Sequence, residues 1–247
     1  MLSSVTALSV KLIQRYLPSP FVFAILLSLI VLAASMLVTG QGLPAMAQHW
    51  GTGFWNLLTF AMQMALILVT GHALASAPLI HRLLAGLART ARTPGRAVVL
   101  VTLVALAGSW INWGFGLVIG AVFARALARE VKGVDYPLLV AAAYSGFLIW
   151  HGGLSGSIPL SLATGGADLE RMTGGVVTAA IGVGDTLFTT MNLTIIALLV
   201  IGLPILNWAM HPKDPKVADP AKLLDPAHEA LPRNTLAQRM DDSRILN

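Results

Sequence analysis

The sequence contains no cysteine, which excludes disulfides and thiolate metal sites. Charge is scarce as well. Charged residues make up 11% of the chain, less than half of the roughly one quarter usual in a soluble domain. Nucleotide and catalytic signatures are missing too: there is no P-loop, no HExxH, no GxSxG and no Cys/His cluster. Nothing supports ATP use or covalent catalysis, so no enzyme and no cofactor are expected. What is present is apolar. Hydrophobic residues reach 56% and the mean hydropathy is +0.76. An all-α polytopic membrane protein is the class that fits. The formal net charge is +5, but the basic residues lie between apolar runs and in the C-terminal segment. Membrane topology accounts for them better than a nucleic-acid partner does.

A first span is predicted from Phe21 to Val38, behind Pro18-Ser19-Pro20, which ends any earlier helix. The run exceeds the roughly 7–15 apolar residues of a signal peptide, so Ala45-Met46-Ala47 is not read as a cleavage site. Residues 1–17 read as an interfacial amphipathic helix with Val10, Ile13 and Leu17 on one side. The connection from Thr39 to Gly53 has no Lys or Arg, and a second span follows from about Trp55 to Ala75. Arg82, Arg89, Arg92 and Arg96, with Leu83, Leu84 and Leu87 among them, predict a helix on the cytoplasmic surface.

The stretch from Ala97 to Leu127 has basic residues at both ends: Arg96 before it, then Arg125, Arg129 and Lys132. Two crossings would take about 20 residues each plus a turn, more than this stretch holds. It therefore predicts a re-entrant hairpin turning at Asn112-Trp113-Gly114; the rival is one long tilted span. Tyr136–Thr164 predicts a crossing broken near His151-Gly152-Gly153 and restarted by Ser155, Gly156, Ser157 and Pro159. An outer connection with Asp168, Glu170, Arg171 and Asp185 leads to a last crossing from Leu187 to Trp208, which Asp185 is placed to cap. Residues 1–210 form a membrane domain, and residues 211–247 a polar cytoplasmic linker or tail. The basic bias gives four crossings, one hairpin dipping from the inside, and both termini cytoplasmic.

The two glycine-broken segments carry the chemistry. Backbone that is not helical at membrane depth is tolerated only where protein or a water-filled cavity satisfies it. Discontinuous helices are how many secondary transporters build substrate and ion sites. In the hairpin, the N–H groups around Gly114 to Gly116 are expected to lack intrahelical partners. In the broken crossing, a serine among Ser155 to Ser157 is expected to cap the second half. Two positive helix N-termini would then face one region, which suits a carboxylate. The carbonyls ending the preceding half-helices, near Trp110 and Trp150, would suit a cation. The candidate substrate- or ion-binding residues are Asn112, Trp113, Gly114, Gly116, His151, Gly152, Gly153, Ser155, Gly156 and Ser157. His151 is ionisable at that depth and thus a candidate proton relay or carboxylate contact. Trp110, Trp113 and Trp150 can wall an apolar pocket, or simply pack. His72 and Gln63 read as polar residues that hydrogen-bond a neighbour, and single glycines as sites of close helix packing.

The motifs GTGFWNLLTFAMQMALILVTGHALA, INWGFGLVIGAVFAR, DYPLLVAAAYSGFL, GGLSGSIPL, GDTLF and the terminal SRILN together resemble the bacterial short-chain fatty acid transporters, the acetoacetate/butyrate uptake permeases. The resemblance covers nearly the whole chain. It implies secondary transport of short monocarboxylates across the bacterial inner membrane, coupled to protons or sodium as symport. The hairpin and broken helix are similar, more distantly, to the ion transporter superfamily. Members of the family look like two related halves, each with a hairpin and a broken helix. This sequence has the first of each, so the fold expected is half of an inverted-repeat carrier, completed by a C-terminal half or by a homo-oligomer partner. Two other readings stand beside it: a sodium-coupled dicarboxylate or other anion carrier, and a non-transporting membrane scaffold or assembly partner.

Overall fold

The computed structural model describes residues 2–56 and 58–218. The described residues are helical, with no strand among them. They divide into two compact units between Met62 and Gln63. Most of the polar segment, residues 219–247 with its SRILN motif, lies outside the described residues.

In the first unit, α1 is Leu2–Tyr16, α2 is Pro20–Thr39 and α3 is Leu43–Asn56. The expected N-terminal helix and first span are both present. Pro20 opens α2, where its missing N–H costs nothing, and Gly40 closes it in a left-handed conformation at φ 68°. Leu27, Leu29, Ile30, Val31, Leu37 and Val38 are all exposed, as lipid-facing side chains are. The connection expected from Thr39 to Gly53 differs: most of it is α3. Its place between two apolar runs reads as a connection, and a connection can itself be helical.

Helix α4, Leu58–Ala75, runs across the boundary into the second unit. Then come α5 (Pro78–Ala88), α6 (Pro94–Ile111), α7 (Trp113–Glu130) and α8 (Tyr136–Ser145). A 3-10 stretch covers Gly146–Gly152, and α9 (Ser157–Thr164) and α10 (Ala167–Met172) follow. A short 3-10 turn at Val183–Asp185 precedes α11 (Thr190–Ala209). The core sits where α6, α7 and α8 meet, around Val98, Val101, Phe123, Leu127 and Leu139. Between membrane helices the drive is close packing rather than water exclusion, and small residues provide it. A Cβ on Gly146 would lie 2.6 Å from the Ala105 carbonyl carbon, and one on Gly116 would strike Ser109.

Among the described residues, four helical stretches are long and apolar enough to cross a membrane: Pro20–Thr39, Pro94–Ile111, Tyr136–Thr164 and Thr190–Ala209. The number matches expectation but the membership differs. The span expected from Trp55 to Ala75 qualifies only as a pair, Ala61–Ala75 with Pro78–Ala88, bent by 66°. The surface helix expected over Arg82 to Arg96 is shorter than its charge pattern: α5 ends at Ala88, Arg89 and Arg92 lie between helices, and Arg96 is in the first turn of α6. The two arms α6 and α7 are each 18 residues long, extending past the apolar stretch at both ends. The capping of α11 is a further correction: the Thr189 side chain, not Asp185, accepts from Asn192 N–H.

The start of α8 is held by one buried acid. The Asp135 side chain accepts from Leu138 N–H at 2.8 Å, capping the helix. Its other oxygen accepts from Lys216 N–H at 2.8 Å. Tyr136 N–H donates to Lys216 O at 3.0 Å, and Asp135 N–H donates to His211 Nε2 at 3.3 Å. The segment leaving α11 is thus tied back to the loop before the broken helix.

Candidate functional site

The first break is one residue wide. Asn112 is extended between α6 and α7, at φ −151° and ψ 121°. Its N–H still donates to Gly108 O, while its side chain accepts from Phe115 N–H at 2.9 Å. Asn112 therefore finishes one helix and starts the next. The second break is long. Helix α8 stops at Ser145, the 3-10 stretch runs to Gly152, and α9 resumes at Ser157. Its start is earlier than the glycine pair at 152–153 suggests.

The two breaks bond to each other. Leu154 N–H donates to Trp110 O at 2.7 Å, and the Ser155 hydroxyl accepts from Trp113 N–H at 2.9 Å. Gly153 makes the approach possible, since a Cβ there would lie 2.5 Å from Trp110 O. Two expectations change accordingly. The α7 N-terminus is not open: Trp113 and Phe115 N–H both have side-chain acceptors, Ser155 and Asn112. No serine caps α9 either. Its N-cap is Gly156, without a side-chain bond, because Ser155 is spent on α7 and the Ser157 hydroxyl contacts Met64 Sδ at 3.9 Å.

An aromatic cluster walls the junction. Trp113 stacks on Trp150 at 5.7 Å with 22° between planes. Phe147 touches both, at 5.9 and 4.7 Å. Both indole Nε1 atoms are buried and have no hydrogen-bond partner, as is the Ser109 hydroxyl. A buried donor without an acceptor costs about 1–3 kcal/mol, so the three unpaired groups make this the most costly polar setting at the junction. His151 is exposed, its ring 4.2 Å from that of Trp150. Gly114 and Gly116 are buried at the α4 and α6 contacts, where a Cβ on Gly114 would lie 2.9 Å from Ile67 O. His72 and Gln63 are exposed.

A profile described as short chain fatty acid transporter matches residues 1–247. The chain belongs to the short-chain fatty acid transporter family. It is 45% identical over 251 aligned residues to an Escherichia coli (strain K12) protein provisionally named a short-chain fatty acid transporter, covering 100% of this chain and 56% of that one. A similarly named Haemophilus influenzae protein is 42% identical over 260 residues, covering 100% of this chain and 57% of that protein. The chain thus spans about half the length of these relatives. No solved structure matches it. The family is one of transporters, not enzymes, and the apolar helices make this member a multi-pass membrane protein.

Sequence reasoning on this family member missed two asparagines of α11. Asn192 Nδ2 donates to Leu187 O at 2.7 Å and to Gly152 O at 3.2 Å, inside the second break. Asn207, buried, donates to Thr102 Oγ1 at 3.0 Å and Ser145 Oγ at 2.9 Å, joining α6, α11 and the end of α8. Both stand in an apolar run, which was the available signal. Among the described residues no group of three or more His, Asp and Glu side chains could hold a metal ion.

Proposed function

We propose that this chain forms one half of an ion-coupled carrier that takes up short-chain fatty acids such as acetoacetate and butyrate across a bacterial inner membrane. The observation that carries the reading is the pair of buried, unpartnered indole N–H groups at the interlocked breaks. A carboxylate supplies acceptors for both, and the aromatic wall suits a short acyl chain. With the α7 terminus closed, carboxylate recognition falls to Trp113 and Trp150, aided by the N-terminus of α9. Asn112, Gly114, Gly116, Gly152, Gly153, Ser155, Gly156 and Ser157 shape and hold the site, and His151 lines its exposed edge. His151 is the one basic residue in the two breaks, which favours one carboxylate over two. A scaffold would have no use for unpaired buried donors. A second half, from the rest of a longer protein or from another copy, would complete the cavity.

The direct test is uptake of radiolabelled butyrate and acetoacetate into vesicles, with proton and sodium gradients imposed separately. Trp113→Phe and Trp150→Phe keep an aromatic ring, though a smaller one, and remove the donor. Each is expected to weaken butyrate binding about tenfold or more, since a hydrogen bond to a charged group contributes about 1.5–3 kcal/mol. Undiminished binding in both variants would remove the indoles from the site. The proposed orientation is tested apart from the cargo. Cysteines replacing the exposed Arg92 and Lys132 are expected to react from the same, cytoplasmic face; labelling from opposite faces would refute the re-entrant hairpin.

A further inference from the structure

Away from the two breaks, a groove of about 530 Å³ runs between the first turns of α6 and the last turns of α11. Its lining is largely apolar, with Val99, Leu100 and Ile205, and includes Arg96 and Trp208. Trp208 lies directly over Gly95: a Cβ at that glycine would be 2.5 Å from the indole Nε1. The indole N–H is therefore brought beside the start of α6, next in sequence to Arg96.

The segment leading into α6 carries charge of one sign. Arg89, Arg92 and Arg96 are exposed, and no Asp or Glu occurs anywhere in the sequence before Glu130. Helix α11 contributes none either. Arg96 has no ion-pair partner among the described residues. An exposed guanidinium on a largely apolar groove, with an indole donor beside it, is complementary to one kind of molecule abundant at such a depth. Arginine forks onto phosphate oxygens, tryptophan sits at the headgroup level, and Val99, Leu100 and Ile205 offer apolar surface beside them.

We propose that this groove binds one anionic phospholipid, its phosphate on Arg96 and Trp208 and one acyl chain along Val99, Leu100 and Ile205. Basic pockets between membrane helices are the usual way such headgroups are held. The site is separate from the fatty-acid site and stands whether or not that assignment does.

The test uses the full chain in vesicles of phosphatidylcholine containing an equal fraction of either brominated phosphatidylglycerol or brominated phosphatidylcholine. Trp208 emission is obtained by difference from Trp208→Phe. Brominated phosphatidylglycerol is expected to quench it with an apparent affinity about fivefold higher, and Arg96→Gln is expected to erase the difference. Equal quenching by the two lipids would overturn the proposal. So would protection of Trp208 from both, which would mean that protein covers the groove. As a second measurement, Gly95→Leu crowds the groove beside Trp208 and should lower the phosphatidylglycerol retained on the purified chain in native mass spectrometry. Unchanged retention there would count equally against the site.

Discussion

Uptake of butyrate by a carrier containing this chain is expected to fall to background when Gly153 is replaced by valine. A Cβ at that position would lie 2.5 Å from the Trp110 carbonyl oxygen and 2.8 Å from its Cα. These are backbone atoms in the middle of the junction, not the tip of a side chain that can swing aside. The chain must part there, and the Leu154–Trp110 and Ser155–Trp113 bonds part with it. Overpacking costs about 1–3 kcal/mol and each buried group left unpaired about as much again. Thermal unfolding in detergent should show a loss of several kcal/mol alongside the lost uptake. Gly202→Ala is the control, because no neighbour lies within 4 Å of its Cβ position; it should leave both measurements nearly unchanged. A Gly153→Val carrier with normal uptake would mean that the breaks need not touch to work.

Asp135→Ala is expected to destabilise the second unit by about 3 kcal/mol, from the loss of a helix cap and of a second buried hydrogen bond. It should also make the chain more readily cut by trypsin after the exposed Lys213 and Lys216, because the segment is released when Lys216 N–H loses its acceptor. Asp135→Asn separates the two roles. Its carbonyl can still cap α8, while its amide would face Lys216 N–H donor to donor. The Asn variant should therefore unfold nearly normally and yet be cut readily after those lysines. Equal resistance to trypsin in all three forms would show that the tie is not maintained.

The breaks were legible in the sequence because helix breaking is local. Glycines at 114, 116, 152, 153 and 156 and the lone Asn112 mark them without knowledge of any partner. The use of each polar group was not legible, because that is decided across the fold. Ser155 and Ser157 look alike as caps for α9, and only the arrival of Trp113 from 42 residues away draws Ser155 off. Asn207 finds its partners 62 and 105 residues away. The one-residue turn at Asn112 was foreseen in place but not in economy: one side chain and one backbone serve two helices. Helix α3 escaped notice because a stretch between two apolar runs reads as a connection whether or not it is helical.

The bonds between the breaks also bear on how the molecule can move. A displacement that drew the first break away from the second would have to give up the Trp110–Leu154 and Trp113–Ser155 bonds together, and at membrane depth the backbone groups so released need new partners. The two broken elements therefore act as one mechanical part. The connections, by contrast, hold Gly133, Gly165, Gly166, Gly174 and Gly175 at positive φ, a backbone that a side chain would resist. In sequence, Gly133 lies between the two breaks, just before α8, and the other four follow α9.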